Sequence, residues 1–369
     1  MSILALAMIA STALNGSQPL RGVVYFLLLA QPFAIICALL LDPPSVAQRR
    51  LLTRVCVSLV AIQIPLAYAQ ASVYGRGDSV TGSLTGTGAG AHVMAAIVIV
   101  GTFWYLGHTR SPLSPISIGI LASMVGILLL ADAKQIILAL PVAIIAQRAL
   151  SARTVMVGLI ALISVAALVR FEALNGGYAI PYIDRALSGE TGKVHVAQMI
   201  WEDAKGDIGS FLFGQGPAET VSRTAYGTVP AYQKSGSSFD ILGLEPAKVP
   251  YEAELIAAAA VRATGNSAFN EPFNLDSFDS GTSSGVGLFG DLGIFGFLAY
   301  TGFFGTVFMT LRRRRSPEAL AAASGFAMLA FLGFILDWWE QPPFTVFLAS
   351  LAALALTRPE SPVPPAPAS

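Results

Sequence analysis

Four side chains in the second half of the chain are candidates for acid–base chemistry. Asp276 and Asp279 are three residues apart, so a helical or turn-rich segment would bring their carboxylates together. Adjacent carboxylates raise one another's pKa, which makes one a better base at neutral pH; the alternative is two solvated loop acids. Asp291 lies in an apolar stretch, where a carboxylate is functional by default or pairs with a cation, unless it lies near the membrane interface. His195 is a candidate base, or an ordinary surface histidine.

Three cations are candidates for binding a phosphate. Lys134 follows Asp132 between two apolar runs, and as a point charge it suits a phosphate at a membrane surface. Alternatively, Asp132 and Lys134 cap a helix tip in water. Arg223 has the planar geometry for a bidentate grip on a diphosphate, and Arg170, at the start of the polar segment, is grouped with it. A solvated arginine is the alternative for Arg223.

A Gly-x-Gly motif at Gly214 and Gly216 lies shortly before Arg223. Such a motif indicates phosphate binding only weakly, because no strand–turn–helix context accompanies it here. The alternative is a tight turn at the end of a helix.

The elements that carry these residues are those of a membrane protein. Hydrophobic residues make up 54% of the chain and charged residues 12%, whereas a soluble domain is about 25% charged. Residues 170–284 hold about two-thirds of the acidic side chains, which are costly in hydrocarbon. We therefore predict an N-terminal membrane bundle at 1–169, an extracytoplasmic loop at 170–284, further membrane helices at 285–357 and a disordered tail at 358–369.

Composition and cysteine placement exclude several other classes. The formal net charge is zero, so nothing points to a nucleic-acid partner. Cys37 and Cys56 both lie in apolar runs, so disulfides do not hold the polar loop. No Cys/His spacing of the metal-binding type occurs, and we expect no metal and no cofactor.

The apolar runs predict an all-α bundle of about ten transmembrane spans, with one large and partly helical outer loop between the seventh and eighth. The predicted spans are 2–14, 22–41, 55–69, 91–107, 116–131, 136–146, 154–169, 285–309, 319–336 and 343–356. The fifth and sixth could instead form one helix of about 32 residues. That helix would be about 48 Å long, too long for a bilayer core of about 30 Å, so we predict a helical hairpin with Asp132 and Lys134 at its tip.

Arginine placement orients the bundle. Alternate short loops hold the larger share of the arginines, including Arg49, Arg110, Arg148 and Arg312. The positive-inside rule puts those loops in the cytoplasm. Both termini are then cytoplasmic and the large loop is periplasmic. Within that loop, 192–213 and 250–264 show helical periodicity, and Trp338 with its neighbour Trp339 suits the outer aromatic belt.

The order of these pieces resembles the O-antigen ligase/polymerase superfamily of polysaccharide-assembly membrane proteins. In that family the outer loop ends in His followed by Asn, Ser or Gln, and a Gly-x-x-Gly follows nine residues later. Gly293 and Gly296 match the second part. Ser283 fits the second position of the His pair, whereas Thr282 stands where the histidine would be. Ala133-Lys134-Gln135 looks like the counterpart of the family's Ser-Arg-Gly, and the Gly214–Pro217 turn before an arginine is also similar.

This resemblance implies metal-independent glycan transfer at the outer face of the bacterial inner membrane, during assembly of O-antigen, capsule or exopolysaccharide. The donor would be a glycan on a polyprenyl diphosphate, and other polysaccharide-assembly proteins are possible partners besides the bilayer. Lys134, Arg223 and Arg170 would hold the diphosphate. Because Thr282 cannot act as the family's histidine, Asp279 is the preferred base, ahead of Asp276, Asp291 and His195.

Two alternatives remain at the level of sequence. A non-catalytic membrane subunit of an export complex is compatible with the missing histidine. A lipid-linked glycan transporter is less favoured, because transporters often carry inverted repeats and broken helices. No repeat is found in the sequence, and few ionisable residues lie within the predicted spans.

Overall fold

The computed structural model describes residues 2–84, 89–109, 114–146, 188, 192–222, 224–225, 283–314, 316–336 and 338–357. These residues form helices and no strand. The helices are α1 (Ser2–Asn15), α2 (Pro19–Leu41), α3 (Val46–Tyr74), α4 (Ala89–His108), α5 (Pro115–Leu130), α6 (Lys134–Ala146), α7 (Gly192–Gly206), α8 (Ile208–Phe213), α9 (Ser284–Arg313), α10 (Pro317–Ile335) and α11 (Pro342–Leu356), with a 3₁₀ turn at Trp338–Glu340.

The helices have the length and composition of membrane segments. Within the described residues, α2, α3, α4, α9 and α10 are long and apolar enough to cross a bilayer, and α1, α5, α6 and α11 are shorter apolar helices. The all-helical membrane character is therefore confirmed, while the count of ten spans stays a prediction. The predicted span 154–169 and the predicted loop helix 250–264 lie outside the described residues.

The chain breaks between α5 and α6, as the sequence predicts. Helix α5 ends at Leu130 and α6 begins at Lys134, which excludes a single long helix. Asp132 makes the turn with a φ of 47°, and Asp is among the few non-glycine residues that adopt this conformation readily. The end of α5 also meets the chain after α3, because Gly77 N donates to Leu130 O at 2.8 Å.

Helix α10 lies at the centre of the bundle and packs against α4, α6, α9 and α11. Its middle consists of small residues, from Ala321 to Gly325, and all of them are buried. Small residues let neighbouring helices approach closely in a membrane protein. At Gly325 a Cβ would overlap the side chain of Leu348 on α11.

Arginines stabilise one end of the bundle by satisfying the carbonyls at the end of α11. Arg49 donates to Thr357 Oγ1 at 2.9 Å and to Leu354 O at 3.0 Å. Arg314 donates to Ala355 O at 3.0 Å. The last carbonyls of a helix have no intrahelical partner and carry partial negative charge, so cations are favourable there.

A second polar contact at the same end joins α4 to α10, where His108 Nε2 lies 3.2 Å from Glu318 Oε1. Residues predicted to share the arginine-rich side are therefore adjacent in the fold. That this side faces the cytoplasm follows from the positive-inside rule and stays a prediction.

The two tryptophans of the 3₁₀ turn do not form an interfacial belt, so that prediction is wrong. Trp338 and Trp339 are both buried, at 3% and 2% exposure. The Trp339 indole donates to Leu329 O at 3.0 Å and lies against Gly333, where a Cβ would overlap the ring. The glycine on α10 makes room for the indole inside the bundle.

Cysteine labelling tests the orientation of the bundle. We expect Ser237→Cys, in a protein whose Cys37 and Cys56 are replaced by alanine, to react with a membrane-impermeant thiol reagent on intact spheroplasts. Ala47→Cys, exposed near the arginine-rich end, is the control and should react only after lysis. The opposite pattern would invert the predicted topology.

Candidate functional site

Helix α9 is broken at Gly293, which has φ 63° and ψ −166° inside the helix. A break leaves carbonyls in the preceding turn without their usual i+4 donors. The chain after α8 supplies new donors. Gln215 N donates to Gly290 O at 2.8 Å, and Gly216 N donates to Asp291 O at 3.2 Å.

Helix α1 adds side-chain donors to the same junction. Ser11 Oγ donates to Asp291 O at 2.8 Å, and Asn15 Nδ2 donates to Gly214 O at 3.1 Å. Polar backbone inside a membrane bundle is tolerated where protein groups satisfy it. These bonds meet that condition for the broken turn of α9.

Two glycines allow the backbones to come this close. A Cβ on Gly214 would overlap the backbone of Asp291, and a Cβ on Gly293 would overlap the backbone of Leu212. Gly214 also ends α8 with a φ of 75°, in the region that favours glycine. Here the glycines serve the packing of one backbone against another.

Helix α8 is held in position by an N-cap outside the apolar helices. Asp207 accepts from Ser210 N at 2.8 Å. This bond, together with the Ser210 hydroxyl and Gly209, holds the pKa of Asp207 below its usual value. Capping fixes the start of the helix that delivers Gly214 to α9.

The carboxylate of Asp291 is the centre of the site. Its exposure is 0%. Oδ1 accepts three hydrogen bonds, from Glu219 N at 3.1 Å, Thr220 N at 2.8 Å and Thr220 Oγ1 at 2.7 Å. We call residues 214–220 the glycine loop. Its sharp turns at Gly216 and Ala218, both with positive φ, aim these donors at the carboxylate.

A buried ion pair lies beside this carboxylate. Arg21 Nη1 is 2.9 Å from Glu219 Oε2, with side-chain exposures of 1% and 6%. Arg21 lies in the first turn of α2, which begins at Pro19. Charges this deep must be paired to be tolerated, so the pair ties α2 to the glycine loop.

A second buried carboxylate belongs to Glu340 in the 3₁₀ turn, with 0% exposure. Its Oε2 accepts from Thr224 N at 3.0 Å and Thr224 Oγ1 at 3.1 Å. Tyr25 and Tyr300 are buried as well, and the Tyr300 ring lies 5.0 Å from the ring of Trp339, the residue before Glu340. The buried cluster, as we define it, consists of Arg21, Tyr25, Glu219, Asp291, Tyr300 and Glu340.

Several residues predicted from sequence meet at this junction. Asp291, Gly214, Gly216 and Gly293 form it. Ser283 caps α9, because its Oγ accepts from Val286 N at 3.3 Å and also donates to Phe334 O at 2.9 Å. Gly296 faces Leu292, one turn earlier in α9, where a Cβ would overlap.

The remaining predicted residues are not brought to the junction by described contacts. Lys134 begins α6 and His195 lies on α7, but neither side chain is among those described. The others lie outside the described residues: Arg170, Arg223, Asp276, Asp279 and Thr282.

The Gly-x-Gly motif forms a turn at a helix end, as the alternative interpretation predicts. Gly214 N donates to Ser210 O at 2.8 Å, and the next two N–H groups bond to α9. Because all three N–H groups of the motif are used within the protein, the motif is not a phosphate cradle in this structure.

Sequence reasoning missed most of the buried cluster. Arg21 follows Pro19, a residue favoured at helix starts, by only two positions, which was a signal that it belongs to a helix. Glu340 directly follows the two tryptophans that the sequence predicts for the outer aromatic belt. Tyr25 and Tyr300 are single polar side chains in apolar runs, and this was the available signal.

Comparisons with protein-family models, curated proteins and solved structures found no match. Among the described residues, no group of three or more His, Cys, Asp or Glu side chains could hold a metal ion.

Proposed function

We propose that the protein transfers or polymerises a glycan carried on a polyprenyl diphosphate, at the outer face of a bacterial inner membrane during surface polysaccharide assembly. One observation carries the proposal. The glycine loop, which belongs to the acid-rich polar segment, enters the apolar bundle and holds the Asp291 carboxylate at a broken helix. An ionisable group inside a membrane bundle is functional by default.

An apolar groove beside the cluster supports a lipid-linked substrate. A cavity of about 460 Å³ lies between α1 and α2. Its lining residues are Ala5, Met8, Ile9, Thr12, Ala13, Pro19, Gly22, Val23, Phe26 and Leu27. Gly22 directly follows the ion-paired Arg21 in sequence. At Gly22 the groove reaches Pro217 of the glycine loop. An isoprenoid chain in this groove would bring its diphosphate to the polar end.

The chemistry needs a cation and a base. The acceptor hydroxyl attacks the anomeric carbon, the bond from that carbon to the phosphate oxygen breaks, and the diphosphate leaves with added negative charge. Fixed cations stabilise that charge. We assign this role to Arg21, which precedes Gly22 of the groove in sequence, and Lys134, Arg170 and Arg223 remain the cations predicted from sequence.

The acceptor's proton passes to a base. Among the described residues we assign this role to Asp291, whose carboxylate is held at the broken helix by the glycine loop. Asp279, Asp276 and His195 stay predictions.

A transporter of lipid-linked glycans is the second candidate. Transporter sites often use discontinuous helices with satisfied backbone breaks, and the break of α9 at Gly293 is such a feature. This observation raises the transporter above its standing on sequence alone.

Substitution of Asp291 tests the proposed function. In a deletion strain we expect wild-type protein to restore surface polysaccharide and Asp291→Asn to reduce it at least tenfold, because the amide cannot accept the acceptor's proton. Lipid-linked glycan should accumulate on the periplasmic leaflet. Polymer is measured on gels and the lipid intermediate by mass spectrometry. Asp203→Asn, an exposed acid on α7, is the matched control and should behave as wild type.

The location of the intermediate separates the two candidates. Accumulation on the cytoplasmic leaflet would favour the transporter over the transferase. Unchanged polymer from an Asp291→Asn protein present at wild-type level would exclude Asp291 as the base.

A further inference from the structure

A second apolar groove lies between α3, α4 and α5, and we call it the α3–α5 groove. Its volume is about 370 Å³, and it shares no lining residue with the groove between α1 and α2. On α3 the lining residues run from Thr53 to Ile64 at spacings of three and four, so they form one face of the helix. The lining on α4 includes Trp104 and His108.

The length of the α3–α5 groove matches one leaflet of a bilayer. Thr53 and Ile64 are separated by about 17 Å of helix, at 1.5 Å per residue. One leaflet contributes about half of a hydrocarbon core that is about 30 Å thick. The groove begins about two turns into α3, which starts at Val46, and runs toward the middle of the bundle. A lipid chain of the leaflet at the arginine-rich end therefore fits it lengthwise.

Trp104 lines the α3–α5 groove and carries a buried polar atom without a partner. The residue is 6% exposed, and its Nε1 makes no hydrogen bond within the described part of the chain. The indole N–H can only donate, and buried donors are normally satisfied. Trp104 lies one turn before His108, the last residue of α4, which is the interfacial depth that tryptophan favours. An occupant of the groove with an acceptor oxygen at this depth would satisfy the indole.

Exposed arginines lie at the end of the α3–α5 groove near the start of α3. Arg49 is bonded to the end of α11, whereas Arg50 and Arg54 are exposed. Arg50 is three residues before Thr53 and seven before Val57, so it shares their face of the helix. Side chains on a helix lean toward its N-terminus, so both exposed arginines extend past the groove toward the headgroup layer. Basic residues there attract anionic headgroups.

We propose that the α3–α5 groove binds one anionic phospholipid from the leaflet at the arginine-rich end. An acyl chain lies in the groove, an ester carbonyl oxygen accepts from Trp104 Nε1, and the phosphate lies at Arg50 and Arg54. A zwitterionic lipid keeps the first two contacts, but its own cation weakens the third. The site is at the far end of α2 from Arg21 and the buried cluster, and it does not depend on glycan transfer.

Native mass spectrometry of the full-length protein tests the lipid site. The protein is released from nanodiscs that contain equal amounts of dioleoylphosphatidylglycerol and dioleoylphosphatidylcholine. We expect wild-type protein to retain one phosphatidylglycerol per chain in preference to phosphatidylcholine. Trp104→Phe should reduce retention of both lipids about fivefold, the effect of losing one hydrogen bond. Arg50→Gln combined with Arg54→Gln should reduce the preference for phosphatidylglycerol about tenfold.

Filling the groove provides a further test with matched controls. Ala61→Phe, on the groove face, should abolish retention of both lipids. Ala69→Phe is the control, because Ala69 is also exposed on α3 but does not line the groove. Arg313→Gln is the control for charge, because Arg313 is exposed at the end of α9, a helix that does not line the groove. Both controls should retain lipid as the wild type does.

The wild-type protein alone can overturn the proposal. Equal retention of the two lipids would exclude recognition of an anionic headgroup, and no retention would exclude a lipid site. A dimer without lipid in the same spectra would assign the groove to a second copy of the chain. Retention that is unchanged in Ala61→Phe would place the lipid elsewhere on the protein. None of these results depends on polymer output, so they are separate from the test of the proposed transfer.

Discussion

Replacement of Gly293 by valine is expected to destabilise the folded protein strongly. At this position φ is 63° and ψ is −166°, a backbone conformation essentially restricted to glycine, in which a side chain costs about 1–3 kcal/mol. The added Cβ would also overlap the backbone of Leu212, and such overpacking costs about 1–3 kcal/mol more. The sum is a large fraction of a typical stability of about 5–15 kcal/mol. Thermal unfolding in detergent and the monodisperse yield on size-exclusion chromatography measure the loss.

The same helix provides matched controls for this substitution. Gly302 and Gly305 also lie in α9, and a Cβ on either would meet nothing within 4 Å. Valine at these positions carries the same helix propensity and should change the unfolding temperature by only a few degrees. If Gly293→Val were as stable as Gly302→Val, α9 would not need its break, and the arrangement of the glycine loop around Asp291 would be wrong.

The sequence predicted the helices well where hydrophobicity decides the structure. Apolar runs gave α2, α4, α10 and α11 to within a few residues, because membrane helices must satisfy their backbone internally over a fixed thickness. Helix α3 extends further than predicted, from Val46 to Tyr74, since Arg49 and its neighbours continue the helix beyond the apolar part. Charge marks the end of hydrocarbon, whereas a helix can continue into water.

The break in α9 was not predicted, although its signal was present in the sequence. The glycines from Gly285 to Gly296 would equally suit close approach of a neighbouring helix. Glycine is equally suited to close packing within a regular helix and to a positive φ. Which of these roles a glycine takes depends on the segment that packs against it. Here that segment is the glycine loop, about 75 residues earlier in the chain.

The cluster was not predictable because its contacts join distant positions. Ser11 and Asp291 are separated by 280 residues, and Thr224 and Glu340 by 116. No spacing rule connects such residues. Asp291 could be selected from the sequence, because a carboxylate in an apolar stretch is unusual in itself, whereas its neighbours required the fold.

Removal of Arg21 alone is expected to destabilise the protein strongly, and a second substitution should restore most of the loss. Arg21→Met leaves Glu219 buried without its counter-ion, which costs about 3–5 kcal/mol for a buried pair. Arg21→Met combined with Glu219→Gln removes both charges, so the double variant should unfold at a higher temperature than Arg21→Met alone.

An exposed ion pair of equal length shows that burial is responsible. Lys205 Nζ lies 2.9 Å from Glu202 Oε1 on α7, with side-chain exposures of 50% and 68%, against 1% and 6% for the buried pair. Exposed pairs contribute below about 1 kcal/mol, so Lys205→Met should have little effect on the unfolding temperature, and Glu202→Gln should add nothing to it. Additive losses at Arg21 and Glu219 would mean that their contact does not stabilise the fold. A double variant that is stable but produces no polysaccharide would separate two roles of Arg21. The ion pair would then be dispensable for folding. The cation at the end of the α1–α2 groove would still be required for the reaction.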